Sequence, residues 1–268
     1  MFTSNLSIAK VAWITLIALA PPLFRSQTQD AQKPVPITEE PHHLLVLENS
    51  YVRVFRFSLP GHEATLLHLH DLPYVSVSLS PTDFVNAVVG KPETHVTMAE
   101  GQVGYSRGGF AHLVRTDQGT ALNDLTIELL HPQGEPRNLC QKITDGPLND
   151  CPPGNVDKLP TDSPLRQIAQ AMRVARLFET DEISVTSFSI ALKQNYSESG
   201  PQSARLLVVE QNSELQVNRP GEPSKALRGG EVEWLEAGKN WTVVTPGDHK
   251  GTRFLLIRFK DSEGPSKP

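Results

Sequence analysis

Residues 61–70 read GHEATLLHLH, so that His68 and His70 stand one residue apart shortly after a glycine turn. In a β-strand, successive side chains point to opposite faces, and these two imidazoles therefore point the same way. Two imidazoles on one face offer two ligands for a metal ion, and a third must come from elsewhere in the chain. The best candidate is His112, within residues 101–116, which read GQVGYSRGGFAHLVRT. This pattern predicts a metal site but does not indicate a particular reaction.

The two segments resemble the paired signatures of the cupin superfamily, a glycine-led HxH motif followed by an acid and then G-x5-P-x-G-x2-H-x3-N. The second signature fits at Gly101, Gly109 and His112 with the spacing of the family. Arg107 stands in place of the proline, and Thr116 stands in place of the asparagine. The resemblance implies that His112 is a metal ligand.

The first signature fits at Gly61, His68 and His70, with one extra residue after the glycine. The acidic ligand of the family would fall at Tyr74 or Val75, and neither residue is acidic. The resemblance therefore implies a site of three histidines that lacks the usual fourth ligand. The divalent ion that it implies is Fe, Mn, Zn, Ni or Cu, and imidazole is a good ligand for most of these metals.

The composition is that of an ordinary globular protein. The chain has 268 residues and a formal net charge of -5, which argues against nucleic acid as a partner because nucleic-acid binding requires a clustered basic surface. Its 22 prolines and 18 glycines, with short apolar runs between them, favour β-structure over a helix bundle. The length allows one large domain or two smaller ones.

The N-terminal segment is typical of an export signal. Lys10 is followed by an apolar run over 11–20, which is too short to span a bilayer comfortably. We interpret 1–26 as a signal peptide or, alternatively, as an uncleaved N-terminal anchor, and 27–40 as a flexible tether. These segments predict a secreted or periplasmic protein that contacts the membrane only through an uncleaved N-terminus, if at all.

The chain has only two cysteines, Cys140 and Cys151. In an exported chain, two cysteines close together in a loop most simply form one disulfide. Closing so small a loop would stabilise the fold by about 3 kcal/mol. A two-cysteine metal site is disfavoured because no histidine lies within the usual short spacing.

Short strand-like segments at even spacing over 41–131 predict a β-sandwich or barrel. Residues 132–164 are rich in Pro, Gly, Asn and Asp and form a predicted linker that carries both cysteines. A Ser-Pro start followed by apolar residues at helical spacing predicts a short helix over 165–177. A second barrel domain is predicted over 178–260, and 261–268 form a predicted flexible tail.

The second half of the chain repeats the first at an offset of about 130 residues, which indicates a duplicated unit. Residues 230–245 have the glycine spacing of residues 101–116, but Trp241 takes the place of the histidine. The counterpart of the HxH motif falls near 200–202, without a histidine. We therefore predict an all-β protein of two cupin-type double-stranded β-helix (jelly-roll) barrels in tandem, joined by a short helix. The first barrel carries the metal site, and the second is degenerate, with Trp241 filling its interior.

Other residues are weaker catalytic or binding candidates. Tyr74 presents its hydroxyl to a bound ligand, or it simply packs with the hydroxyl toward water. Arg107 steers an anionic substrate, or it is a solvated turn residue. His62 or Glu63 supplies the missing ligand only if their loop folds back. The remaining histidines do not stand at a spacing typical of metal ligands, and they are predicted to lie on the surface. They are His42, His43, His95, His131 and His249.

Two functions fit these features. Three neutral ligands leave the charge of the ion uncompensated, so its open positions should attract an anion or an enolate. The first hypothesis is an exported metalloenzyme, of the dioxygenase type that the resemblance implies, acting on a small anionic substrate. The second is a non-catalytic module of the cell envelope that binds a small molecule or a protein partner. Cupins often pair, so the resemblance also implies a homodimer unless the two barrels of one chain already satisfy that tendency.

Overall fold

The computed structural model describes residues 33–134, 172–192, 194–246 and 251–260, which belong to one compact unit that begins at Lys33. Apart from one short 3₁₀ helix, the regular structure of these residues is all β, as predicted. Within these ranges, no helix is long and apolar enough to cross a membrane.

Several predictions concern residues outside the described ranges. They are the export segment 1–26, the disulfide between Cys140 and Cys151, most of the linker 132–164 and the tail 261–268. These stay predictions from the sequence.

The first barrel has ten strands among the described residues, and a 3₁₀ helix (Ile37–Glu39) lies between the first two of them. The strands are β1 (Val35–Pro36), β2 (His43–Glu48), β3 (Val52–Leu59), β4 (His68–His70), β5 (Tyr74–Ser78), β6 (Thr82–Val88), β7 (Thr94–Met98), β8 (Val103–Ser106), β9 (Phe110–Arg115) and β10 (Leu122–Leu129). They form two five-stranded sheets, ordered β1-β4-β9-β6-β7 and β2-β3-β10-β5-β8. β1 runs parallel to β4, and the other neighbours are antiparallel.

The second barrel has nine strands among the described residues. They are β11 (Met172–Glu179), β12 (Ile183–Ile190), β13 (Asn195–Glu198), β14 (Arg205–Val209), β15 (Glu214–Asn218), β16 (Lys225–Arg228), β17 (Val232–Leu235), β18 (Trp241–Val244) and β19 (Thr252–Phe259). The sheet orders are β11-β12-β19-β14-β17 and β13-β18-β15-β16. Each strand number is nine higher than that of its counterpart in the first barrel, so that β11–β19 correspond to β2–β10. The predicted duplication is therefore confirmed.

The two barrels pack through the sheets that contain β10 and β19, and the alternation of side chains along β10 shows how. Leu125, Ile127 and Leu129 belong to a core cluster that also contains residues of β12, β14 and β19 from the second barrel. Thr126 and Glu128 lie between them in sequence and face the interior of the first barrel, because side chains alternate along a strand. Burying one such aliphatic side chain contributes roughly 1.5–3 kcal/mol.

The helix predicted over 165–177 is wrong in its described part. Residues 172–177 belong to β11, in which Met172 pairs with Ile190 of β12. The apolar residues do repeat at helical spacing, but the edge of β12 offers backbone hydrogen-bond partners along an added strand. Long-range pairing therefore overrides the local pattern.

The tether predicted over 27–40 is wrong from Val35 onward. Val35 pairs in parallel with His68, and its N–H donates to the carbonyl of Leu67 at 3.0 Å. Glu40 is only 1% exposed. One of the polar residues of this segment, Glu40, is hydrogen-bonded inside the fold.

Candidate metal centre

The three predicted ligands lie on two neighbouring strands, β4 and β9. His68 stands directly opposite His112 in the antiparallel register, and His70 lies two residues further along the same face of β4. The ring centroids are 4.5 Å apart for His68 and His112, 4.9 Å for His70 and His112, and 5.1 Å for His68 and His70. The structure thus brings the three rings together in the interior of the first barrel.

The glycine turn before β9 holds these two strands in place. The N–H of Gly109 donates to the carbonyl of His70 at 2.6 Å. Gly108 has a φ of 67°, and a Cβ at this position would lie 2.1 Å from the carbonyl oxygen of Leu72. Only glycine fits so close to the backbone in this conformation. The next residue, Gly109, is the glycine of the second signature and also has a positive φ, of 75°.

A fourth ring, that of His43, joins the three, and the prediction that His43 lies on the surface is wrong. His43 is 8% exposed, and its ring centroid is 5.0 Å from that of His68 and 6.0 Å from that of His70. One ligand nitrogen from each of these three residues lies within 4.8 Å of the other two. His43 points inward because β2 pairs with β3 so that it stands opposite the buried Phe57. We call His43, His68, His70 and His112 the histidine cluster.

Three members of the histidine cluster are fixed through one ring nitrogen. Their Nδ1 atoms lie 2.7, 2.9 and 2.8 Å from an oxygen that can accept a hydrogen bond. The pairs are His43 with Glu40, His68 with the carbonyl of Leu66, and His112 with Asn86. With the proton on Nδ1, the lone pair of Nε2 is free to bind a metal ion.

Several ring nitrogens of the cluster are buried and have no hydrogen-bond partner among the described residues. They are Nε2 of His68, Nε2 of His112 and Nδ1 of His70. An unpartnered buried polar group typically costs about 1–3 kcal/mol. A metal ion would satisfy such atoms, because a neutral imidazole nitrogen is a good metal ligand. The donor set therefore fits a divalent ion that prefers nitrogen ligands.

Burial keeps the histidine cluster uncharged. It lowers the pKa of His68 from 6.5 to about 4, and it lowers the pKa of His112 to about 3, with repulsion from neighbouring histidines acting in the same direction. Burial also lowers the pKa of His43 and of His70. All four rings are neutral at neutral pH, which is the state that binds metal.

A buried carboxylate, that of Glu40, lies behind His43. Its Oε2 is 2.7 Å from Nδ1 of His43, and its Oε1 is 2.9 Å from Nδ1 of His42. Burial by itself would raise the pKa of Glu40, but the hydrogen bonds from His43 and His42 outweigh it and lower this pKa to about 2. Glu40 is therefore a negative charge held next to the cluster.

No protein-family model and no curated protein matches the chain in sequence. Solved structures do match it. HEPD from Streptomyces albus, in a structure with 2-hydroxyethylphosphonate and Fe(II) bound, is 10% identical with a TM-score of 0.54, over 83% of this chain and 71% of that chain. A mutant of salicylate 1,2-dioxygenase from Pseudoaminobacter salicylatoxidans is 11% identical with a TM-score of 0.52, over 78% and 70%. Oxalate decarboxylase is 12% identical with a TM-score of 0.51, over 80% and 70%.

These neighbours are cupin-domain proteins, and they share the arrangement of strands described above. The chain therefore has the fold of two cupin-type barrels in tandem. The fold predicted from the two signatures is confirmed. Sequence identities of this size show the fold alone, so the chemistry of the site depends on the residues of this chain.

Tyr74 is one of the two positions, with Val75, at which the cupin signature places the acidic ligand. Its ring centroid is 4.5 Å from that of His70. Burial raises the pKa of the Tyr74 hydroxyl to about 12, although its hydrogen bond with Ser106 acts in the opposite direction. The phenol is neutral at neutral pH, so it brings no negative charge to an ion bound at the cluster.

Two carboxylates that the sequence does not reveal face the interior of the first barrel from β10. Glu128 lies 2.8 Å from Arg53 and is compensated by it. Asp124 stands opposite Phe57, and its buried Oδ1 has no hydrogen-bond partner among the described residues. Burial raises the pKa of Asp124 to about 7, although a hydrogen bond with Thr126 acts against this. Asp124 is therefore a carboxyl group that ionises near neutral pH.

The remaining candidates lie outside the histidine cluster. Arg107 is exposed in the turn between β8 and β9. The loop before β4 does not fold back onto the cluster, because Glu63 is 53% exposed and lies 3.5 Å from His42, while the ring of His62 packs beside Gly119. The other histidines divide as follows. His95 and His131 are exposed as predicted, His42 is half-buried, and His249 lies outside the described residues.

The second barrel carries other residues at the ligand positions. Glu198 stands opposite Trp241 in the register of β13 and β18, as the two opposed histidines do in the first barrel. The predicted match of the HxH motif to 200–202 is therefore wrong by two residues, because sequence spacing does not reveal the register. Glu198 pairs with Arg205 at 3.0 Å. Trp241 is 2% exposed within the core of this barrel, so the prediction that it fills the interior is confirmed.

Proposed function

We propose that the first barrel binds one divalent metal ion through His68, His70 and His112, and that the protein is a metalloenzyme acting on a small anionic substrate. The observation that carries this proposal is a set of buried ring nitrogens that have no partner among the described residues, on three rings whose centroids lie 4.5–5.1 Å apart. Their neutral state supports it, because metal binding requires unprotonated imidazole. The ion is Fe, Mn, Zn, Ni or Cu, and the Fe(II) held by HEPD, a protein of the same fold, favours iron among them.

The charges of the interior favour an anionic substrate. When bound, the ion would act as a Lewis acid that holds an anion at its open positions. The histidine cluster is neutral, Tyr74 is a neutral phenol, and Glu128 is already paired with Arg53. The negative charge next to the cluster, that of Glu40, is hydrogen-bonded to His43 and His42. A divalent ion bound here would therefore keep a net positive charge that attracts a carboxylate or an enolate.

Proton transfer near neutral pH would fall to Asp124. Its buried Oδ1 faces the same interior, and its pKa of about 7 allows it both to accept and to return a proton at this pH. The salicylate 1,2-dioxygenase among the structural neighbours supports an oxygenase reaction as the first one to test.

Metal analysis of protein purified without an affinity tag tests the site. We expect about one equivalent of a first-row metal in the wild type and a large loss in the His68→Ala/His112→Ala double variant. His95→Ala is the matched control, because this histidine is 68% exposed in its side chain. Equal and negligible metal in the wild type and in the double variant, after incubation with Fe(II), Mn(II) or Zn(II), would end the proposal.

Oxygen consumption with small carboxylic and enolisable acids separates an enzyme from a binding module. Uptake of dioxygen that depends on the bound metal would support the enzyme. Metal binding without oxygen uptake or product would favour the alternative, a non-catalytic module that binds a small molecule or a partner. The second barrel supports this alternative, because it has the same order of strands but carries Glu198 and Trp241 in place of two of the histidines.

We further propose that the protein is secreted or periplasmic. The apolar run after Lys10 and the pair of cysteines in the predicted linker support this location. Cell fractionation followed by intact-mass measurement tests it. Full-length protein recovered from the cytoplasmic fraction alone would contradict it.

A further inference from the structure

We propose that His43 is a further ligand of the metal ion and that the carboxylate of Glu40, bound to the far side of the His43 ring, supplies the negative charge that the cupin signature places in an acidic ligand. This inference rests on the metal site proposed above and adds two residues that neither signature contains. The negative charge of Glu40 would act on the ion through the imidazole of His43. Tyr74 is neutral and would supply no negative charge to the ion.

The position of the His43 ring supports ligation. Its ligand nitrogen lies within 4.8 Å of the ligand nitrogens of His68 and His70. Two nitrogens that bind one ion at 2.0–2.1 Å each can lie up to about 4.2 Å apart. A shift of roughly half an ångström therefore brings the three nitrogens onto one ion, and side-chain rotation alone supplies such a shift.

The contacts of Glu40 fix which nitrogen of His43 is available. Nδ1 of His43 donates to Oε2 of Glu40, and an ionised carboxylate can only accept. The proton is therefore held on Nδ1, and Nε2 is left as the ligand atom. A carboxylate behind a metal-binding imidazole fixes the tautomer and raises the basicity of the ligand.

The carboxylate of Glu40 accepts hydrogen bonds from several donors, so it is held in place without a metal. Its oxygens also accept hydrogen bonds from the backbone N–H of His42 at 2.9 Å and from the backbone N–H of Leu66 at 3.3 Å. Leu66 lies two residues before His68, and the backbone carbonyl of Leu66 accepts the hydrogen bond from Nδ1 of His68. The carboxylate and the ligand strand β4 are thus connected through one residue.

The segment that carries Glu40 is paired with the ligand strand. β1 runs parallel to β4 with Val35 opposite His68, and the backbone N–H of Glu40 donates to Ile37 at 3.2 Å. In the second barrel, the residue that corresponds to His43 is Val174, opposite the equivalent phenylalanine.

Binding of Co(II) to the full chain, followed by its visible absorption, tests the inference. Co(II) is a first-row ion whose spectrum reports the number of nitrogen ligands. We expect Glu40→Gln, which keeps the shape of the side chain, to bind Co(II) 10–100-fold more weakly than the wild type. His43→Gln should weaken binding at least as much and should also change the spectrum, because one ligand is lost.

His42→Ala is the matched control. The ring of His42 also contacts Glu40, but its other nitrogen faces Glu63 rather than the cluster. We expect this variant to keep the wild-type spectrum and to lose affinity only slightly. Circular dichroism confirms that each variant is folded, and Glu40→Gln decides the outcome if His43→Gln does not fold.

The outcomes separate the two proposals. If the wild type binds no Co(II), the metal site itself fails. If His68→Ala abolishes binding while His43→Gln and Glu40→Gln keep the wild-type affinity and spectrum, the metal site stands and the role of His43 and Glu40 is refuted. Weaker binding with a changed spectrum in His43→Gln, and weaker binding in Glu40→Gln, supports the inference.

Discussion

Mild acid should unfold the metal-free protein, because acid charges histidines that the fold holds neutral. Burial lowers the pKa of His68 to about 4 and that of His112 to about 3, whereas both return to 6.5 in the unfolded chain. Below pH 6.5 the unfolded chain therefore binds more protons than the folded chain, and the free energy of unfolding falls as the pH falls. The loss begins near pH 6.5 and ends only when the folded rings are protonated as well.

The size of this effect follows from the two pKa values. A pKa difference of one corresponds to about 1.4 kcal/mol, so His68 loses about 3 kcal/mol and His112 about 5 kcal/mol over the full acid range. The sum is comparable with the roughly 5–15 kcal/mol that stabilises a typical protein. His43 and His70 contribute in the same direction. We therefore expect the metal-free protein to unfold at about pH 5.

Urea denaturation of EDTA-treated protein at a series of pH values between 7.5 and 4.5 measures this dependence. The matched variant is His68→Gln/His112→Gln, whose side chains are polar but do not titrate, and His95→Gln is the control at an exposed position. We expect the slope of the unfolding free energy with pH to be clearly smaller in the double variant and unchanged in the control. Equal slopes in the wild type and the double variant would refute the assignment of acid lability to these buried rings.

Three further predictions concern the turn before β9, the interior of the second barrel and the buried carboxyl group of Asp124. Gly108→Ala should lower the free energy of unfolding, measured with urea, by several kcal/mol, because the new Cβ would lie 2.1 Å from the carbonyl oxygen of Leu72. Gly109→Ala is the control, with a similar φ but open space around the new Cβ, and should lower it by about 1 kcal/mol. Equal losses would contradict this geometry. Trp241→Ala should cost about 3–5 kcal/mol without changing the metal content, and a loss of metal would show that the second barrel affects the site. Asp124→Asn should stabilise the protein more at pH 8 than at pH 5.5, because the penalty on its carboxylate grows as the pH rises from 3.8 to about 7. A pH-independent difference in thermal melts would exclude that cause.

Local patterns in the sequence predict much of the site. His68 and His70 share a face because side chains alternate along a strand, and this holds wherever the strand lies in the fold. His112 follows from the glycine spacing of the second signature, because Gly101 and Gly109 adopt positive φ values that few other residues tolerate. The offset between the two halves predicts the second barrel, since a duplicated unit keeps its order of strands.

Residues whose positions depend on long-range pairing are the ones that local patterns miss. His43 faces the interior because it stands opposite Phe57, and the register of β2 shifts between Leu45 and Leu47. Glu40 is buried because the preceding segment pairs in parallel with β4. No spacing within the chain reports a register or a parallel pairing, so the first residues of the barrel look like a tether. A sequence signal for the burial of these two residues would have to come from an acidic residue and a histidine near the start of a strand, as Glu40 and His43 are near the start of β2.

The two barrels have the same order of strands but different interiors. The four positions of the histidine cluster are occupied by other residues in the second barrel. They are Val174 for His43, Glu198 for His68, Gly200 for His70 and Trp241 for His112. A histidine that loses its ion keeps a buried nitrogen without a partner, at a cost of about 1–3 kcal/mol. A barrel that stops binding metal is therefore stabilised when these histidines are replaced.

The first barrel has not undergone such replacement. If it bound nothing, its three unpartnered ring nitrogens would together cost about 3–9 kcal/mol, which is as large as the stability of many domains. Substitution of His68 by the glutamate found in the second barrel, with an arginine at position 74 to pair with it, would remove part of this cost. The chain instead keeps all four imidazoles in one barrel and none of them at the equivalent positions of the other. The metal site proposed above accounts for this difference, because a bound ion would satisfy these ring nitrogens.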